Sequence, residues 1–292
     1  MYRFGGAAAC DVVLMWRIIV VDGGQALDLA IKIMIMQIKL ALLSGMVFCF
    51  AEFASAQVVV PDWALPGSAT HKQVPPPADF HRDTKTEIGS LGVFEGQSDV
   101  GGALVAGSSS YNPRTRAYTI VSAGYNIWYQ RDEFRYIWQK MSGDVSLAAD
   151  VAFPDAAGYD DRKAVLVIRE GLEDDAREAV VALHGAGLMH LAWRAAAGQM
   201  MTEMRVNHRK DHTTDSLNVG LAKRIGIEKH GDSFTVWISM HGEPMHQVGE
   251  AVQLHIDAPF YVGIGFCSHL PATRDTAILS HVVLANKAGK IR

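Results

Sequence analysis

Two histidines offer the clearest chemistry in this chain. His184 and His190 stand on either side of a short Gly-Ala-Gly segment, and a tight turn there would bring their rings together. Adjacent neutral imidazoles can bind a transition metal, and an imidazole held by a carboxylate can act as a base. The chain has no His-x-His pair and no His-Glu-x-x-His motif. No metal site is therefore predicted, and packing or ordinary hydrogen bonding remains the alternative role for both rings.

Arg169 ends the apolar run Val-Leu-Val-Ile-Arg. In a strand its side chain lies on the face opposite Ile168. An arginine directed into the concave face of a sheet can grip a carboxylate or sugar hydroxyls with its planar fork. The structural alternative is an ion pair with Asp132 or Asp144. With His184 and His190, Arg169 completes the set of candidate catalytic residues.

The segment Gly-Tyr-Asn-Ile-Trp and the residues after it suggest a ligand site. Trp128 can stack on a sugar ring, while Asn126 and Asp132 can hydrogen bond to its hydroxyls. A buried tryptophan with neighbours that cap a turn is the alternative. Asn126, Trp128, Asp132 and Arg169 are the predicted ligand-binding residues.

A period of two dominates the sequence from residue 118 onward and predicts the elements that carry these residues. Phe134, Tyr136 and Trp138 alternate with neighbours of other types, as do three later runs of four to eight residues that begin near Val145, Ala164 and Phe234. Turn signals such as Ser-Gly-Asp and His-Gly-Asp separate the runs. Only residues 171–182 also fit a helix, and we predict a strand there, after an acidic loop. Many short strands without alternating helices predict an all-β sandwich or jelly roll.

Residues 34–56 have the order of a secretory signal peptide. Lys39 precedes an apolar run of about 14 residues, and Ala54-Ser55-Ala56 follows it. The run is shorter than the about 20 residues that a membrane-spanning helix needs, so no membrane anchor is expected after cleavage. A mature protein that begins at Gln57 and is periplasmic or secreted is therefore predicted. Residues 1–33 are interpreted as an over-extended gene start.

The composition of the mature chain indicates its domain organisation and argues against some classes of partner and site. Residues 57–100 include three consecutive prolines, Pro75-Pro76-Pro77, and predict an extended arm, followed by a sandwich domain over 101–286 and a tail over 287–292. The chain has 27 basic and 31 acidic residues and no long basic block, which argues against nucleic-acid binding. Cys267 is the only cysteine after the predicted cleavage, so neither an intramolecular disulfide nor a cysteine-rich zinc site is expected.

Five segments resemble a known family. They read GQSDVGG, YTIVSAGYNIWYQRDEFRYIWQKMSGDVSLAADV, RKAVLVIRE, ALHGAG and FYVGIGFCSH. They are similar to a concanavalin A-like family of unknown function in bacterial exported proteins, whose members are often labelled as biopolymer transporter Tol proteins. The resemblance implies a laminin-G-like jelly roll of two antiparallel sheets. It implies no activity.

Glycanases with this kind of jelly roll carry the string Glu-x-Asp-x-x-Glu along one strand. Residues 173–178, Glu-Asp-Asp-Ala-Arg-Glu, have this spacing, but they lie in a highly charged segment that we interpret as a solvated loop. We therefore predict an exported, non-catalytic module that binds glycan or another polymer of the cell envelope. One alternative is a glycoside hydrolase or lyase that uses histidine, arginine and carboxylate groups of the concave face. Another is an interaction module with a protein partner in a Tol-like envelope assembly. No cofactor is predicted, and calcium in the loops is left open.

Overall fold

The computed structural model describes residues 32–37, 81–206 and 222–291. The chain consists of two units, Met1–Gln57 and Val58–Arg292. In the first unit, residues 32–37 form a short helix, α1. None of the described helices is long and apolar enough to cross a membrane. The predicted cleavage site, most of the predicted signal peptide and the proline-rich segment up to residue 80 lie outside the described residues.

The second unit is built from strands. In chain order they are β1 Lys85–Leu91, β2 Phe94–Val100, β3 Ser108–Asn112, β4 Ala117–Ser122, β5 Ile127–Trp128, β6 Arg131–Asp132, β7 Phe134–Met141, β8 Val145–Ala152, β9 Lys163–Arg169, β10 Glu178–His184, β11 Met189–Arg194, β12 Thr202–Arg205, β13 Arg224–His230, β14 Ser233–Ser239, β15 His246–Gln253, β16 Phe260–Cys267 and β17 Asp275–Ala285.

These strands form two large antiparallel sheets. The first sheet has the order β1-β2-β7-β16-β9-β10-β11-β12, and the second has the order β15-β14-β13-β8-β17-β4-β3. The short strands β5 and β6 pair with each other. Many neighbours within each sheet are far apart in sequence, as β16 beside β7 and β17 beside β8 show. The predicted all-β class and jelly-roll sandwich are confirmed.

The main core lies between the two sheets. Alternate residues of β9, among them Leu166 and Ile168, meet Leu147 of β8 and Ile225 and Ile227 of β13 there. Each such side chain, fully buried, stabilises the fold by about 1.5–3 kcal/mol. Because side chains alternate along a strand, the intervening residues of β9 project to the other side of the first sheet. We call that side, which is turned away from the second sheet, the outer face.

Two local predictions are confirmed. The His-Gly-Asp turn joins β13 and β14, with Gly231 at a φ of 57°. The ambiguous segment 171–182 is a loop that leads into strand β10 and contains no helix.

The sandwich begins earlier than the sequence predicted. Strands β1 and β2 fall within the predicted arm of residues 57–100, and they form an edge of the first sheet. Gly92, at a φ of 62°, turns the chain between them, and the Tyr118 hydroxyl sits 2.0 Å from where a β-carbon of residue 92 would be. Pro77 is the last proline before β1. The residues of β1 and β2 therefore keep the backbone N–H groups that strand pairing needs.

Candidate functional site

Strand register divides the outer face into two polar ends. Arg169 of β9, Glu178 of β10 and Arg194 of β11 stand opposite one another at one end. Lys163 and His184 stand opposite each other at the other end. Between the two ends the face is apolar and buried, with valine and alanine side chains from the same three strands.

The first end holds four charged residues whose side chains have no exposed surface: Asp132, Arg169, Glu178 and Arg194. We call them the buried charge cluster. Arg194 grips Asp132 with two nitrogens, at 2.7 and 2.9 Å, and reaches Glu178 at 3.2 Å. Arg169 lies 3.3 Å from Asp132 and 3.5 Å from Glu178. Burial alone raises the pKa of Asp132, but Arg194 and Arg169 outweigh it and lower that pKa. Burial and the neighbouring Asp132 raise the pKa of Glu178 to about 8, although both arginines oppose this rise. The two arginines and the two carboxyl groups therefore form one network that is closed to solvent.

This arrangement corrects part of the predicted ligand site. Arg169 and Asp132 form the ion pair that the sequence offered as the structural alternative, and neither presents an atom to solvent. Arg169 also donates a hydrogen bond to the carbonyl of Glu173, which ties the acidic loop to the sheet. Both side chains are buried inside the fold, in a structural ion pair.

The second end opens into a pocket of about 230 Å³, which we call the outer-face pocket. Side chains from four strands of the first sheet, from β5 and from nearby loops surround it. They are Asn126, Trp128, Asp161, Lys163, His184, Leu188, His190, Glu203, Arg205 and His269. The pocket therefore unites four of the six predicted site residues, namely Asn126, Trp128, His184 and His190.

Two histidine–carboxylate pairs stand side by side in the pocket. His184 Nδ1 is 3.5 Å from Asp161 Oδ1, His190 Nδ1 is 3.2 Å from Glu203 Oε2, and the two rings are 5.1 Å apart. Burial lowers the pKa of His184 to about 4 and also lowers that of His190, so both rings are neutral near pH 7. The adjacent imidazoles lower the pKa of Asp161 and of Glu203, each to about 2.

Lys163 lies at the floor of the pocket and is only 3% exposed. Its ammonium donates a hydrogen bond to Asn126 Oδ1, which also accepts one from the backbone N–H of Ile127 at 2.9 Å. Within the described ranges, no carboxylate oxygen comes within the 4.0 Å of an ion pair with it. Burial lowers the pKa of Lys163. The pocket thus contains a buried lysine whose hydrogen-bond partner is a neutral amide.

Trp128 provides the aromatic wall of the pocket. Its indole is partly exposed and lies against His190, with ring centroids 5.4 Å apart and planes inclined by 35°. Asn126 and Trp128 are adjacent here because the β5–β6 hairpin folds over the outer face, where Ile127 packs into the apolar middle.

Several pocket residues were missed at the level of sequence. Lys163 begins the same strand that Arg169 ends, and the even spacing between them places both on one face. The sequence therefore contained enough information to place Lys163 on the same face as Arg169. Glu203 and Arg205 also alternate on β12, but their approach to His190 depends on the pairing of β11 with β12.

Within the described part of the chain, no group of three or more histidine, cysteine, aspartate or glutamate side chains is arranged to hold a metal ion. Whether calcium binds in the loops is not tested and stays open.

No model of a known protein family matches the chain, and no curated protein matches it in sequence. Solved structures resemble it at low identity. A protein of unknown function from Saccharomyces cerevisiae is 12% identical, with a TM-score of 0.44, over 63% of this chain and 97% of that one. The alginate lyase from Klebsiella pneumoniae is 11% identical, with a TM-score of 0.39, over 62% and 85%. Lectin II from Ulex europaeus is 11% identical, with a TM-score of 0.31, over 68% and 91%. These similarities carry no statement about ligand or activity, and the resemblance to proteins labelled as Tol transporters stays a prediction.

Proposed function

We propose that this protein is an exported module that binds glycan through the outer-face pocket. The observation that carries the proposal is the partly exposed indole of Trp128 beside a set of converging polar groups. Sugar rings combine an apolar face with hydroxyls around the edge, so they need such a pairing of an aromatic surface with hydrogen-bonding groups. Export is supported by the signal-like order of residues 34–56.

The size of the pocket limits how much of a glycan it can enclose. Its volume of about 230 Å³ is below the about 300–1,000 Å³ of pockets that enclose a drug-sized molecule. A site of this size suits one sugar unit of a longer polymer, with the rest of the polymer lying outside. The histidine rings and Asn126 provide the neutral polar atoms that orient hydroxyls.

Replacement of Trp128 by alanine tests the proposal. We expect the affinity for glycan to fall by about tenfold or more, because the variant loses the stacking surface and leaves the polar groups in place. Titration calorimetry with the oligosaccharides that the wild-type protein selects from a glycan panel measures the effect. Trp237→Ala is the matched control, since Trp237 is a partly exposed tryptophan on the second sheet. If both variants bind as the wild type does, the pocket is not the glycan site.

A second candidate function is acid–base cleavage of the bound glycan, and His184 favours it. Within the described structure, its Nε2 is buried without a hydrogen-bond partner, and its pKa of about 4 leaves the ring neutral at pH 7. A neutral imidazole with an unoccupied nitrogen can take a proton from a substrate.

Appearance of new chain ends in polysaccharide solutions detects such cleavage. If His184 is the base, we expect His184→Gln to slow the release by about 10²–10⁴-fold, far more than it weakens glycan binding, because the glutamine amide still offers polar atoms to the hydroxyls. His246→Gln, which changes an exposed histidine on β15, should have no effect. A wild-type protein that binds a glycan and releases no chain ends from it excludes this second function.

A further inference from the structure

We infer that the outer-face pocket selects an acidic sugar unit and that the acid group of that unit binds Lys163. The inference rests on the proposed glycan-binding function and adds the class of sugar. Its starting point is Lys163 at the floor of the pocket, which forms no ion pair with any carboxylate of residues 81–206 or 222–291.

A buried ammonium is expensive unless an anion or several acceptors compensate it. Lys163 is 3% exposed, and its ammonium has the Asn126 amide oxygen as its hydrogen-bond acceptor. The buried arginines at the other end of the same face show the contrast, because each has a carboxylate at 3.3 Å or closer. An oxyanion of the ligand, placed at the pocket floor, would supply the missing compensation.

The carboxylates that line the pocket contact other side chains directly, and they act on Lys163 only from beyond ion-pair distance, where Asp161 and Glu203 oppose the burial that lowers its pKa. Asp161 lies against His184, and Glu203 lies between His190 and Arg205, with Arg205 Nε at 2.8 Å. Arg205 is the more exposed partner of that pair, with 59% of its side chain accessible, so it adds positive charge at the pocket rim. An entering acid group thus meets a cation at the rim and a second cation at the floor.

Matched acidic and neutral sugars test the inference directly. We expect wild-type protein to bind oligogalacturonate about tenfold or more tightly than the same oligosaccharide with its carboxylates methyl-esterified, because only the free acid forms a charge-assisted hydrogen bond. A sulfated galactan and its neutral parent form a second pair. Together, the two pairs show whether the acid group is a carboxylate or a sulfate.

Lys163→Met is the decisive variant. It removes the cation and keeps an unbranched side chain, so we expect the preference for acid over ester to fall to within about twofold of unity. The melting temperature should stay equal or rise, since a buried uncompensated charge is gone and Asn126 Oδ1 keeps its bond from Ile127. The control is Lys140→Met, which changes an exposed lysine on β7 of the same sheet and should keep the full preference.

The outcomes separate the inference from the function on which it rests. Equal binding of acid and ester by the wild type, or an unchanged preference in Lys163→Met, overturns the inference and leaves glycan binding intact. If no oligosaccharide binds, the proposed function fails. In that case, free galacturonate and free galactose are compared by the NMR signal of the Lys163 ε-carbon. A saturable shift with galacturonate alone supports the acid site, and no difference between the two sugars overturns it.

Discussion

Replacing Arg194 with methionine is expected to lower the free energy of unfolding by about 3–5 kcal/mol, the usual cost of removing one partner from a buried ionic network. The guanidinium contacts Asp132 and Glu178 and also donates to the backbone carbonyl of Ala176 at 2.9 Å. Without it, one cation faces two buried carboxylates, and the carbonyl loses a donor. Urea unfolding followed by circular dichroism measures the change.

Two comparisons make this prediction specific. Arg194→Lys keeps the charge but loses the two-nitrogen grip on Asp132, so its loss should be intermediate. Arg177→Met removes a partly exposed arginine that pairs with Glu170 at 3.0 Å, and it should cost at most about 1 kcal/mol. A loss below 1 kcal/mol for Arg194→Met would show that the cluster does not stabilise the fold as described.

Replacing Glu133 with glutamine is expected to make the protein progressively more stable than the wild type as pH rises. The Glu133 side chain is buried, and its Oε1 accepts a bond from the N–H of Tyr125 at 3.0 Å. Among the described residues no hydrogen bond reaches its Oε2, and burial raises its pKa to about 8. The unfolded chain loses this proton near pH 4.3, so between that pH and about 8 the folded state binds more protons.

A proton that the folded state retains contributes to the free energy of unfolding. This contribution is fully present below the pKa of the unfolded chain, and it is lost as pH rises toward the pKa of the folded state. The slope for one group is about 1.4 kcal/mol per pH unit, and glutamine abolishes it because its amide does not ionise. Unfolding free energies at pH 5, 6, 7 and 8 should therefore separate wild type and variant by a growing amount. Glu250→Gln, at an exposed position on β15, should follow the wild type at every pH. Parallel curves for Glu133→Gln and the wild type would contradict the prediction.

Sequence periodicity predicted the central strands because each of them buries the face that is turned toward the main core. Phe134, Tyr136 and Trp138 line the outer face, while Ile137 between them packs into the main core. The same pattern could not separate ligand contacts from structural charges. Arg169 and Lys163 share one strand and one face, yet a carboxylate from the β5–β6 hairpin covers the first and none in the described residues reaches the second. That difference depends on pairing between strands far apart in sequence.

The predicted arm of residues 57–100 shows a second limit of prediction from sequence. The prolines up to residue 77 predict an extended arm, but they do not indicate where strand pairing begins. β2 is fixed to the sheet by Trp138, which hydrogen bonds to Ser98 at 3.0 Å and covers Gly96. These partners are about 40 residues apart, so a local pattern contains no trace of them.

The buried charge cluster also restricts how this sequence can change over evolutionary time. Asp132, Arg169, Glu178 and Arg194 balance one another without solvent, so a mutation that removes one of them leaves an opposite charge stranded. Apolar residues of similar volume can replace such a network only if all its members change. Descendants of one ancestral chain should therefore keep the four together or lose them together. The cluster would be inherited as a single character, although its members lie on four different strands.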